Sequence, residues 1–330
     1  EYHDRRGEFS DARPAVNKVT SLTGGNITSR ILELDVVGAA TDEMIALTNI
    51  DYLQSQMVRE KFDTDYSELM IYILALRVSQ IFPGPLALRR IEDVRPKYAG
   101  RIDALLWRTY LYRYTGINDK FAKNEEMILG PRRGQTELVT GFGDVCADWL
   151  IRLYDKAGKA YEMALESDST YRPAFEHWVE MDIEQRQYAE AVTLFTRYPW
   201  FADRYPELEM LHGLAVVQAG QDAAGLDTFL GAAPALRGDI TRFERMRQAL
   251  MKRGATASLQ RLAEWLATDN VDNAEALILA SRIRGDIGEF KEANSLALAA
   301  EKLDVSSLDA KARRARALYG MGETQTAIDL

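Results

Sequence analysis

Gly288-Glu289-Phe290-Lys291-Glu292-Ala293 sets a helix-ending glycine two residues before an aromatic ring and five before an alanine. The arrangement returns 34 residues later as Gly322-Glu323-Thr324-Gln325-Thr326-Ala327, with threonine in the aromatic place. Glycines stand at 254 and 220 on the same step, and one step further back lands on Arg186 in the matching segment Arg186-Gln187-Tyr188-Ala189-Glu190-Ala191. Self-similarity at a fixed period of this size marks a stacked array of like units. Such a unit holds two helices of about 12 to 14 residues with short turns, each too short to persist alone in water. The fold class is therefore all-α, with each helix hairpin burying one face against the next.

The spacing assigns roles to individual residues. Small side chains at 191, 293 and 327 let two helix axes approach, and Tyr161, Phe195 and Phe229 fill the space beside them. Glycine at the end of a first helix takes the left-handed conformation that turns the chain. Thr241-x-x-Glu244 and Asp272-x-x-Glu275 have capping-box spacing and predict two first-helix starts. Counting from these anchors places repeats near 138, 172, 206, 240, 274 and 308. The last reaches Leu330 a turn or two into its second helix, which leads us to expect an array cut short at its C-terminus. At the other end there is no initiator Met, and the charged opening Glu1-Tyr2-His3-Asp4-Arg5-Arg6 suits a removed signal, a removed anchor or a cut.

Residues 138–330 resemble the tetratricopeptide repeat (TPR) family. The segment Ala157-Gly158-Lys159-Ala160-Tyr161-Glu162-Met163-Ala164-Leu165-Glu166-Ser167-Asp168-Ser169 reads like that family's second helix and exit turn. Gly213, seven before Gly220, sits where the family puts a small residue in its first helix. Gly225 and Leu259 depart from the alanine seen at 191, 293 and 327, and the family's repeat-ending proline is absent. The resemblance implies a right-handed α-solenoid of antiparallel helix pairs, TPR-like, with about five to six repeats whose first helices line a concave face. Mapped by the family's repeat positions, that face carries Phe142 and Trp149, then Glu176 and Glu180, then Met210 and Leu214. It continues with Glu244, Gln248 and Met251, then Arg282, then Arg316. The family's chaperone-binding members hold a terminal carboxylate with Lys, Asn and Arg at such places. Here acidic and apolar residues predominate, which implies a protein or peptide partner that is basic or amphipathic.

Ahead of the array, residues 28–129 read as an irregular helical region. Helical spacing runs over Thr41–Phe62, Asp65-x-x-Glu68 caps the next helix, and helices follow from Arg101 to Tyr114 and from Asn118 to Leu129. Residues 1–27 read as extended or poorly ordered, and Gly130-Pro131-Arg132-Arg133-Gly134-Gln135 as a linker over 130–137. Leu106 to Tyr114 is the most aromatic stretch; packing at i and i+4 is the plainer reading, and a stacking or sugar-binding patch the functional one.

Composition narrows the function classes. In 330 residues, 47% are hydrophobic and 28% charged, enough for a large core and an ordinary surface. The most apolar run, Leu69–Phe82, is interrupted by Arg77 and suits a buried helix better than a transmembrane segment. The net charge of −9 divides as −1 over residues 1–137 and −8 over the rest, which argues against a nucleic-acid surface. One cysteine, Cys146, rules out an internal disulfide framework. His3, His177 and His212 stand singly, no metal-spaced cluster or nucleophile elbow occurs, and Gly141-x-Gly143 lacks the third glycine of a dinucleotide site. No enzyme activity, cofactor or metal is expected. The sequence points to a scaffold or adaptor that binds a partner protein. Its 30 Arg against 11 Lys fit a bacterial source, and an anchor once preceding Glu1 would fit an envelope, secretion or polysaccharide-export setting, with a periplasmic or membrane-associated location over a cytoplasmic one. The alternative is a ligand- or sugar-binding protein, or an enzyme accessory subunit, with its site in residues 28–129.

Overall fold

The computed structural model describes residues 83–92, 100–236 and 239–330. The extended segment 1–27, the helix over Thr41–Phe62, the cap at Asp65 and the apolar run to Phe82 lie outside the described residues. Those described contain sixteen α-helices. In chain order they are α1 (Pro85–Glu92), α2 (Ile102–Tyr114), α3 (Asn118–Leu129), α4 (Thr136–Ala147), α5 (Tyr154–Ser167), α6 (Arg172–Glu184), α7 (Tyr188–Arg197) and α8 (Trp200–Arg204). There follow α9 (Pro206–Gln218), α10 (Asp222–Ala232), α11 (Ile240–Arg253), α12 (Thr256–Asp269), α13 (Ala274–Asp286), α14 (Phe290–Leu303), α15 (Leu308–Gly320) and α16 (Thr324–Ile328). The described residues divide into two compact units, those up to Ala174 and those from Phe175 to Leu330.

In the second unit the 34-residue step is a backbone event. Gly220, Gly254, Gly288 and Gly322 have φ of 109°, 67°, 84° and 85°, and Arg186 adopts 61° in their place. At each bend the last carbonyls of the first helix are satisfied in one pattern. Gln221 N–H donates to Val216 O at 3.1 Å and Gly220 N–H to Val217 O at 3.0 Å, and Gln187 and Arg186 repeat this onto Asp182 O and Ile183 O. This double closure is the Schellman motif, which a left-handed residue makes possible. The helix starts at Arg172, Pro206, Ile240, Ala274 and Leu308 keep the predicted spacing. Both predicted caps are displaced. The cap of α11 is Asp239, not Thr241, and α13 is capped by Asn273, whose Oδ1 accepts Ala276 N–H at 3.1 Å, not by Asp272. Asn273 wins because it precedes the first helical residue with an extended backbone, as a cap must.

Close approach within the hairpins follows the small residues. Ala191 and Ala293 are buried, and Ser281 Oγ on α13 donates to Ala293 O on α14 at 2.7 Å. Where the family pattern is broken at Gly225, the structure supplies a reason. A Cβ on Gly225 would lie 2.6 Å from Gly213 O, and one on Gly213 would lie 2.6 Å from Gly225 O. The two glycines let α9 and α10 touch backbone to backbone. Aromatic rings fill the wider gaps: Phe175 stacks on Phe201 at 4.2 Å and meets Phe195 edge-on, and Phe243 joins Phe229 to Trp265. The stretch Tyr198–Pro206, which holds α8, thereby packs on α6 through Tyr198 and Phe201.

In the first unit α2/α3 and α4/α5 are also hairpins, and α2 and α3 both pack on α4. Gly116 (φ 77°) closes α2 with the same double pattern, Ile117 N–H to Tyr112 O and Gly116 N–H to Arg113 O. Arg152, 34 residues before Arg186, is also left-handed at φ 53°. Its turn is looser, because α4 ends at Ala147 and Leu153 N–H reaches back to Cys146 O. Gly141 and Gly143 are packing sites: a Cβ would meet Leu106 at 2.3 Å from the first and the Tyr161 ring at 2.5 Å from the second. Tyr161 then donates its hydroxyl to Asp144 at 2.8 Å.

Candidate partner-binding face

The predicted face divides into core and surface. Phe142, Met210 and Leu214 are buried, Phe142 with its ring 6.0 Å from Phe121. They belong to the hairpin interiors, because the helix positions that face inward carry the packing, and of the three only Leu214 reaches a cleft wall. Trp149 is 68% exposed, in the turn beyond α4 rather than on a helix face. That turn is held by Asp148, whose Oδ1 accepts Leu150 N–H at 2.8 Å. Cys146 is buried, and burial pushes its thiol up to about 12.

In the second unit, α9, α11, α13 and α15 pack side by side as successive first helices, with the last residues of α6 alongside in sequence. Gln248, Met251, Glu180 and Arg316 are exposed on them, and Glu176 and Arg282 half-buried. Glu244 does not supply the free negative charge expected of it. Its Oε1 accepts from Arg247 at 2.7 Å, Gln248 at 3.0 Å and Arg282 at 3.3 Å, and its Oε2 from Arg247 Nε at 2.8 Å. Partial burial alone would raise the Glu244 carboxyl, but these hydrogen bonds outweigh it and hold the group below its ordinary 4.5. Arg247, buried to 7% exposure, also donates to Asp286 Oδ2 on α13 at 2.7 Å. Glu244, Arg247, Arg282 and Asp286 thus brace α11 to α13.

A cleft of about 230 Å³ opens between α7, α9 and α11, lined by Tyr188, Leu214, Gln218, Arg245, Gln248, Ala249, Lys252 and Arg253. Arg253 is ion-paired with Asp222, while Arg245 and Lys252 are exposed. Desolvation and then the negative Glu176 raise the Glu180 carboxyl, against the fields of Arg245 and His177. Sequence mapping missed Arg245 and Arg313. Each stands three residues before a mapped position, Gln248 and Arg316, one helical turn along the same face, and that spacing is the signal that finds them.

Elsewhere the chemistry-bearing groups are absorbed by the fold. His212 stacks on Phe195 at 4.4 Å, and burial lowers it. Tyr110 and Tyr112 are buried, and Tyr112 donates to Glu92 at 2.8 Å, so of the tyrosines at 110, 112 and 114 only Tyr114 is an exposed ring. Among the described residues no group of three or more His, Cys, Asp and Glu is placed to hold a metal, and no helix is long and apolar enough to cross a membrane.

No family model matches the chain, and no curated protein matches it. The chain nevertheless has hairpins with first helices 34 residues apart, closed by left-handed bends. The fold is TPR-like. Solved structures it resembles include PilF of Pseudomonas aeruginosa, 19% identical, covering 64% of this chain and 95% of that one with a TM-score of 0.38. Yeast Tom70 is 13% identical over 92% of this chain and 64% of its own, with a TM-score of 0.45. The human IFIT1 dimer with m7Gppp-AAAA is 10% identical over 99% of this chain and 86% of its own, with a TM-score of 0.34.

Proposed function

We propose that the chain is a non-catalytic scaffold that holds a partner protein or peptide along the face of α9, α11, α13 and α15, with Glu176 and Glu180 of α6. The observation that carries this reading is the cleft between α7, α9 and α11, with exposed Gln248, Arg245 and Lys252 at its walls. A concave, half-polar site of this size takes one or two side chains of an extended segment, while neighbouring helices offer further positions at a regular pitch. We propose a bacterial source, which 30 Arg against 11 Lys would suit, and within it an envelope, secretion or polysaccharide-export assembly with a periplasmic or membrane-associated location.

The test is a pull-down from cell extract with the wild-type chain beside a variant carrying Glu180→Lys, Gln248→Glu and Met251→Asp. All three positions are exposed, so far-ultraviolet circular dichroism should superimpose. A protein captured by the wild type and lost by the variant supports the face; a protein captured equally by both refutes it.

A further inference from the structure

We propose that α2 and the turn between α4 and α5 form a carbohydrate-binding platform, and that it takes a neutral glycan of flat, β-linked hexose rings. Its residues belong to the first unit, and none of them lies on the face assigned above to the partner protein.

Trp107, Tyr110 and Tyr114 stand three and four residues apart on α2, which sets them along one side of the helix over about 10 Å. Trp107 meets Tyr110 edge-on at 5.4 Å, and Tyr114 lies nearly parallel to Tyr110 at 6.2 Å. Tyr110 is buried and reaches across to the turn, where its hydroxyl donates to Asp148 Oδ1 at 3.5 Å. The next residue is Trp149. Tyr110 thus links two exposed rings, Tyr114 at 44% exposure and Trp149, with exposed Leu150 beside the second.

The turn holds that indole out in water. Asp148 O accepts from Ile151 N–H at 2.9 Å and from Arg152 N–H at 2.8 Å, Asp148 Oδ1 accepts Leu150 N–H, and the Arg152 guanidinium folds back onto Trp149 O. An indole fixed in the open adds little packing to the fold, and exposed apolar surface held in place marks a contact site.

The groups around the rings select a sugar. A β-linked hexose has a face of C–H groups, which stacks on an aromatic ring, and an edge of hydroxyls, which needs donors and acceptors beside that ring. Among the described residues, Asp148 Oδ2, the Trp149 indole N–H and the Tyr114 hydroxyl make no hydrogen bond. They supply an acceptor, a donor and a group that is either. Charge disfavours the other ligands that settle on aromatic rings. Residues 101–174 hold 11 Lys and Arg against 11 Asp and Glu, so a single-stranded nucleic acid meets no basic excess. Residues 147–155 carry Asp148 and Asp155 against Arg152 alone, the wrong sign for an anionic bilayer.

The test is isothermal titration calorimetry of the full chain with neutral hexaoses of β-linked glucose, mannose and N-acetylglucosamine. At least one should bind. Trp149→Ala and Tyr114→Ala should each weaken it on the order of tenfold with unchanged circular dichroism, since both side chains are exposed. Tyr114→Phe, which keeps the ring, should stay within about threefold of the wild type. The chain carrying Glu180→Lys, Gln248→Glu and Met251→Asp should bind the hexaose as the wild type does, so the platform and the scaffold face fail separately. No binding of any hexaose, or equal affinity of the wild type and Trp149→Ala, overturns the platform. Co-sedimentation with phosphatidylcholine vesicles that Trp149→Ala abolishes overturns it in favour of a bilayer contact. A single-stranded RNA oligonucleotide that displaces the hexaose overturns the assignment to a glycan.

Discussion

Gly225→Ala should destabilise the protein although it replaces a glycine inside a helix. The new Cβ would sit 2.6 Å from Gly213 O, 2.6 Å from Val217 N and 2.7 Å from Val217 Cγ2, where ordinary contact begins at 3.4 Å. Two of the three are backbone atoms of α9, which cannot rotate aside, so α9 must retreat by roughly 0.8 Å. Overpacking of this kind costs about 3 kcal/mol at its upper end. Alanine gains about 1 kcal/mol over glycine in a helix interior, leaving a net loss of about 2 kcal/mol. Gly231, in the same helix, is exposed with nothing within 4 Å of its Cβ position. Gly231→Ala keeps the propensity gain of up to about 1 kcal/mol and meets no clash. The two substitutions should therefore shift the urea midpoint in opposite directions, read by circular dichroism. If Gly225→Ala stabilises as Gly231→Ala does, the backbone contact between α9 and α10 is wrong.

Arg186→Gly should stabilise by about 1 kcal/mol, since a non-glycine residue at φ 61° carries a steric penalty of that order; thermal unfolding checks it, and an unchanged or lower midpoint contradicts the left-handed bend. Arg247→Met should cost about 3 kcal/mol, because it takes the ion-pair partner from the partly buried Asp286 and leaves Glu244 with Gln248 and Arg282 alone. Glu244 is held below its ordinary value of 4.5, so its share of the stability is complete above that pH and lost as pH falls through the lower folded value. The gap between the Arg247→Met variant and the wild type should therefore narrow in acid. Asp182 is raised to about 7 by burial and then by Glu190, so the folded protein keeps a proton that the unfolded chain loses above 3.8. Its contribution falls as pH rises through this window, and Asp182→Asn should raise the melting temperature at pH 8 and leave it unchanged at pH 4.

The repeat was legible because its signal is backbone geometry. Glycines at 220, 254, 288 and 322 mark left-handed bends, and the helices at 172, 206, 240, 274 and 308 start where that step puts them. The step at Arg186 was readable from the surrounding segment, whereas Arg152 was hidden, because its turn lacks both glycine and the double hydrogen-bond closure. Caps were misplaced by one or two residues, since capping boxes at 241 and 272 match a spacing without fixing where the chain leaves extended geometry. The face was only half legible. Glu180, Gln248 and Arg316 are exposed as mapped, but Phe142, Met210 and Leu214 fall inside, because repeat position alone does not distinguish a groove residue from one sealing two helices. Charge was the least legible property: Glu244 looks free in sequence and is engaged by residues three, four and 38 positions away.

The recurring left-handed bend carries a consequence for how such a chain can change. Segments such as 221–254 and 255–288 each begin just after one bend and end on the next, so they enter and leave in the same backbone state. Excision or duplication of one whole segment rejoins the chain in phase, while a change of any other length throws each later helix out of register with its neighbour. Growth and shrinkage are thus quantised, and the groove would lengthen or shorten by one first helix at a time with its neighbours' contacts preserved.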